Sequence, residues 1–187
     1  MSNLSFLSKT IERIVEKQLS DYLVSASILP PLQSAYRSYH STETALLCVM
    51  SDVFAVVDQQ RAMLLGLLDL SAAFDGVDHE ILLARLEYTF GLSGNVLCWL
   101  QSFLSDRTQR IAYCDRTSEV LVLQFGVPQG WVLGTLLFLM YIAEVFSVIV
   151  DHGATAHFYA DDGQVYISAP ASSAADTTAR FVACLRQ

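Results

Sequence analysis

Apolar residues in the first part of the chain recur at helical spacing. Leu7, Ile11, Ile14, Val15 and Leu19 form an i, i+3/i+4 stripe that predicts an amphipathic helix over residues 4–23, with Ser8 as its cap. Pro30 and Pro31 then break the chain. Ala45, Leu46, Val49, Val53, Val56 and Val57 repeat the stripe over residues 40–60, behind Ser41 or Thr42 as N-cap, and predict a second helix. At residues 62–70 the pattern becomes a short continuous apolar run closed by an acidic turn, which reads as a central strand. Helices are expected over residues 79–90, stopped at Gly91, and over residues 94–104. Residues 111–114 and 120–124 read as paired strands around the polar loop 115–119. Residues 157–168 read as a hairpin with Asp161, Asp162 and Gly163 at its turn. Strands mixed with helices in this order, without repeat or linker, predict one α+β domain.

Residues 131–150 carry a single charge, Glu144, and are long enough to cross a bilayer. Glu144 lies well inside the stretch, no Lys or Arg flanks it, and Gly130 and Gly134 crowd its start, so the expectation is a buried core helix followed by a strand or turn, with no membrane. A length of 187 residues at 53% hydrophobic suits one packed domain or a piece of a larger one. Lys and Arg number 11 against 19 Asp and Glu, a formal charge of −8, which argues against a stand-alone nucleic-acid binder and predicts weak nucleic-acid binding. Cys48, Cys98, Cys114 and Cys184 have no CxxC spacing and lie among apolar residues, so buried reduced thiols are expected. His40, His79, His152 and His157 lack ligand-like spacing and read as surface or hydrogen-bonded residues. Residues 1–20 do not form a signal peptide, which leads to an intracellular expectation.

The candidate chemistry lies in LLDLSAAFDGVDH (67–79) and FYADD (158–162), each of which puts aspartate at the end of a strand-like run. Two carboxylates about 4 Å apart repel by roughly 4 kcal/mol at an effective dielectric of about 20. A divalent cation turns that cost into binding, since Mg²⁺ takes hard oxygen ligands from one or two carboxylates together with water and substrate phosphate. The expected chemistry is therefore phosphoryl transfer. Asp75 and Asp78 are ambiguous, and one of them is expected to cap the helix that starts near His79.

Four ordered segments, QSAYRSYHSTETALL (33–47), LLDLSAAFDGVDH (67–79), GVPQGWVLGTLLFLMYI (126–142) and FYADD (158–162), resemble the reverse transcriptases of non-LTR, LINE-type retrotransposons almost end to end. The resemblance implies a polymerase palm with an antiparallel sheet backed by helices (about 61–187, with some fingers elements), fingers-side helices (about 1–60), and no thumb. It implies RNA-directed DNA synthesis with two Mg²⁺ or Mn²⁺ ions, using an RNA template, a DNA primer and dNTPs. Position by position, Asp69, Asp161 and Asp162 match the catalytic metal ligands, with Asp162 the weaker or indirect one. Phe74 matches the aromatic beneath the incoming sugar, Gln129 and Gly130 match the PQG turn at nucleotide or template, and Arg37 matches a fingers arginine on the triphosphate. Trp131, Thr135, Gly76 and Gly163 depart from the family's usual serine, proline, threonine and threonine. The family's upstream Arg-Pro element, later palm motifs, primer grip and thumb are expected to lie outside these residues, so a non-catalytic retroelement remnant or binding module is the alternative.

Overall fold

The computed structural model describes residues 6–114, 116–127 and 132–186. They divide into two compact units, one joining the chain up to Ile28 with Ala72–Tyr141, the other joining Leu29–Ser71 with Ile142–Gln187. Both mix helix with sheet, as an α+β class requires.

In the first unit, α1 (Phe6–Ala26) runs through Ser8, which therefore lies inside the helix and does not cap it. α3 (His79–Tyr88) opens on Asp78, whose carboxylate accepts from the Glu80 and Ile81 N–H groups at 2.9 and 3.0 Å. Two of the first-turn donors without intrahelical partners are thereby satisfied. Gly91, at φ +67, turns the chain away at the helix end, and α4 (Gly94–Leu104) follows. Tyr22 of α1 donates its hydroxyl to the Phe90 carbonyl at 2.8 Å. Leu23, Val77, Leu82, Leu86, Leu100 and Leu104 are buried here.

The segment after α4 forms two nested ladders in place of one strand pair. Ala112–Tyr113 (β3) pairs with Arg116–Thr117 (β4), and Thr108–Gln109 (β2) pairs with Leu121–Val122 (β5). Ser118 joins them, since its N–H donates to the Ile111 carbonyl and its Oγ accepts from the Ile111 N–H. Both strands of the arm are exposed, so no buried face fixes one long register.

α5 is one uninterrupted helix, Val132–Asp151, whose first part belongs to this unit and whose second part belongs to the other. By length and composition it is apolar enough to cross a membrane, and half of its apolar window is buried inside the protein.

The second unit centres on an antiparallel sheet of β1 (Ala62–Asp69), β7 (Asp162–Ala169) and β6 (Thr155–Tyr159), in the order β1-β7-β6. Alternation puts Leu64, Leu68, Val165, Ile167, Ala156 and Phe158 on one face. That face packs on Val145, Phe146 and Ile149 of α5 and on Phe181 and Cys184 of α6 (Ala174–Cys184). The sequence reading missed α6, whose stripe is only Thr177, Phe181 and Cys184. α2 (Thr42–Asp58) begins at Ser41 in a reciprocal cap: Ser41 Oγ accepts from the Thr44 N–H and Thr44 Oγ1 accepts from the Ser41 N–H.

The hairpin turn falls at Ala160–Asp161, with Asp162 and Gly163 already in β7. Gly163 is needed for space, because a Cβ there would stand 2.5 Å from the Phe158 ring directly across the ladder. The cysteine expectation holds only for Cys184. All four thiols are free, but Cys48, Cys98 and Cys114 are exposed, because their helices or arm turn those positions to solvent.

Candidate active site

β1 ends on Asp69, and the register sets it directly opposite Asp162, the first residue of β7. Opposed residues of an antiparallel pair share a face with Cβ atoms roughly 4.5–5.5 Å apart. Two exposed carboxylates therefore stand side by side at one end of the sheet, and the half-buried Asp161 precedes them in the turn. The sequence reading gave Asp162 the indirect role, whereas the register gives it the place opposite Asp69. The turn sets that register: Ala160, at φ +57, closes a two-residue loop that pairs Tyr159 with Asp162.

Farther along this face come Leu67, Gln164 and His157, then Leu65, Tyr166 and Thr155. Tyr166 donates its hydroxyl to Asp52 of α2, and burial, with the Asp52 carboxylate next, pushes that phenol far up. His157 is buried and hydrogen-bonded through Nε2 to Ser34 Oγ at 2.9 Å, while Nδ1 has no partner among the described residues. Burial lowers its pKa, His40 adds to the lowering, and Asp52 opposes it. His40, His79 and His152 bond the backbone carbonyls of Ser38, Gly126 and Val148, so all four histidines fit the hydrogen-bonded reading.

Arg37 is half-buried and spends Nη1 on the Pro30 and Gln33 carbonyls at 2.9 and 3.1 Å, pinning its own loop. Tyr36 stands beside Asp161, and burial, then the Asp161 and Tyr159 charges, raise its phenol pKa. Phe74 belongs to the other unit, buried and stacked on Phe138 with ring centroids 4.5 Å apart. Its carbonyl accepts from the Val127 N–H at 2.8 Å. Gln129, Gly130 and Trp131 lie outside the described residues. Thr135 falls in the first turn of α5, where its Oγ1 donates to the Val132 carbonyl at 2.8 Å.

The donors at the sheet end are carboxylate oxygens, which suit Mg²⁺ or Mn²⁺ rather than zinc. Among the described residues no three His, Cys, Asp or Glu side chains gather closely enough to enclose a metal by themselves. Gln33 was not singled out by the sequence reading: buried beneath the turn, it bonds the backbone of Ala160.

A family model described as reverse transcriptase (RNA-dependent DNA polymerase) matches residues 1–187. Similar proteins in Drosophila melanogaster include a probable RNA-directed DNA polymerase from transposon BS, 30% identical over 167 residues, covering 87% of this chain and 18% of that protein. The RNA-directed DNA polymerase from mobile element jockey is 26% identical over 169 residues, covering 88% of this chain and 18% of that protein. A probable RNA-directed DNA polymerase from transposon X-element is 30% identical over 146 residues, covering 75% and 15% respectively. The chain thus spans less than a fifth of the length of these relatives.

Proposed function

The chain belongs to the reverse transcriptase (RNA-dependent DNA polymerase) family, and from that premise we propose that its sheet end is the metal-dependent nucleotidyl-transfer site of a non-LTR retrotransposon polymerase. The observation that carries this reading is the pairing of Asp69 with Asp162, with Asp161 beside them in the turn. Under it, the antiparallel sheet with α5 and α6 behind it is the polymerase palm, and the Gln33–Arg37 loop belongs to the fingers side.

Asp69 and Asp162 would hold the divalent cations with Asp161, leaving ligand positions for the nucleotide. When bound, a pair of such ions activates the primer 3′-hydroxyl and neutralises charge on the triphosphate and leaving pyrophosphate. The chain's own part is positioning. The sheet fixes the carboxylates, Arg37 keeps the loop beside the turn folded, and Phe74, braced by Phe138, is the candidate wall against a ribose 2′-hydroxyl. RNA template, DNA primer and dNTPs are the proposed partners, with Gln129 and Gly130 proposed to contact nucleotide or template.

The test is Mn²⁺ binding followed by electron paramagnetic resonance, beside primer extension on an RNA template. Asp69→Asn and Asp162→Asn should each weaken Mn²⁺ binding by at least about tenfold and abolish any extension. Unchanged Mn²⁺ binding in both variants would favour the alternative, a non-catalytic module on the same fold.

A further inference from the structure

Residues 32–34 run along the outer edge of β6, with Gln33 bridged in parallel to Phe158. Phe158 N–H donates to the Leu32 carbonyl and Ser34 N–H donates to the Phe158 carbonyl, both at 2.9 Å. Gln33 is 1% exposed. Its Oε1 accepts from the Ala35 N–H and the Ala160 N–H, each at 3.1 Å, and its Nε2 donates to the Ala160 carbonyl at 3.2 Å. One side chain therefore holds both main-chain polar groups of the residue before Asp161. A two-residue hairpin loop leaves such groups outside the ladder, and buried ones need partners. Ala160 is also buried and left-handed at φ +57, a conformation that an L-residue keeps only where its surroundings impose it.

We propose that Gln33 is a positioning residue for the catalytic hairpin: by clamping Ala160 it fixes how the Asp161 and Asp162 carboxylates leave the turn, and so sets the site's affinity for divalent cations. This rests on the metal-dependent reading given above. The clamp is itself braced, since Arg37 bonds the Gln33 carbonyl and the Pro30 carbonyl. Ser34, next in the strap, bonds His157 instead of the turn, which supplies a control at the adjacent residue. A purely structural glutamine would change metal affinity only as far as it changes folding. A clamp changes the turn first.

The test uses the 187-residue chain and three readouts: hydrogen exchange at the Ala160 amide by NMR in EDTA, Mn²⁺ titration by electron paramagnetic resonance, and thermal melting in EDTA. Gln33→Met should speed Ala160 exchange at least about tenfold and weaken Mn²⁺ binding by roughly 10- to 100-fold, the usual range for a residue that orients metal ligands. Ser34→Ala should lower the melting temperature while leaving exchange at Ala160 and Mn²⁺ affinity at wild-type values. Gln33→Glu keeps the acceptor oxygen but sets a buried carboxylate oxygen against the Ala160 carbonyl in place of the amide donor, so its Ala160 exchange should also be faster than in the wild type. Unchanged Ala160 exchange in both Gln33 variants overturns the clamp. So does loss of Mn²⁺ affinity in Ser34→Ala and Gln33→Met alike, in step with melting temperature. Equal Mn²⁺ binding by the wild type and Asp69→Asn overturns the metal reading and the clamp's part in it, a failure that the metal-free exchange data keep separate from a failure at the turn.

Discussion

Gly163 reads as a turn residue because Asp-Gly is the commonest local hairpin signal, yet its task is to leave room for a ring. Any side chain there must displace the buried Phe158. Gly163→Thr, which restores the residue common in related enzymes, should therefore cost about 1–3 kcal/mol of stability by overpacking, read as a lower urea midpoint. A wild-type midpoint would mean that the ring has somewhere else to go. His157 makes a pH-dependent contribution. Its folded pKa lies below the ordinary 6.5, so the unfolded chain binds the proton more readily. The stability from keeping it neutral is present above pH 6.5 and is lost as pH falls from there through the folded value. His157→Gln should flatten that part of a stability-against-pH curve measured by chemical denaturation. Phe74 has two readings, sugar wall and core residue, and its stack on Phe138 supports the second without removing the first. Phe74→Val should cost somewhat less than the roughly 3–5 kcal/mol of a Phe→Ala change. Unaltered ribonucleotide discrimination in single-nucleotide kinetics would leave only the packing role.

Helix starts were the most legible elements because their signals are local. Ser41, which the pattern offers together with Thr42, and Asp78, which it offers together with Asp75, both cap, whereas Ser8 lies inside its helix. Asp78→Ala should remove about 1 kcal/mol, within a usual range of roughly 0.5–2, and should speed exchange at the Glu80 and Ile81 amides ahead of the rest of α3. Uniform acceleration along the helix would point to global destabilisation instead. The carboxylate register was not legible because it depends on partners far along the chain, whereas the β-arm pairs residues close in sequence but exposed. No buried face marks the arm's register, and its residues fit several pairings equally well. The place of Asp162 opposite Asp69 follows from which residues the turn consumes, and Phe158 against Gly163 decides that. Gln33 was invisible for the same reason, since its partner lies 127 positions away. α6 was missed because alanine and threonine dilute its stripe.

At the scale of the whole molecule, a formal charge of −8 opposes any phosphate backbone. Binding of a primer–template by these 187 residues should be weak, and it should not show the steep loss with rising salt that counterion release gives a basic protein. Fluorescence anisotropy across a salt series checks this, and tight, strongly salt-sensitive binding would contradict it.

β1 lies at the border of its sheet, and among the described residues no strand pairs with its outer side. Its eight residues, AMLLGLLD, carry no charge before Asp69, and Leu67 is 76% exposed. Such a border is a template for another chain's backbone, the arrangement that seeds fibrils unless a charge or a covering segment blocks it. The strand that delivers the first carboxylate is therefore also the place where copies of this chain should begin to aggregate. Leu67→Lys should slow that growth, measured by light scattering, without moving Asp69.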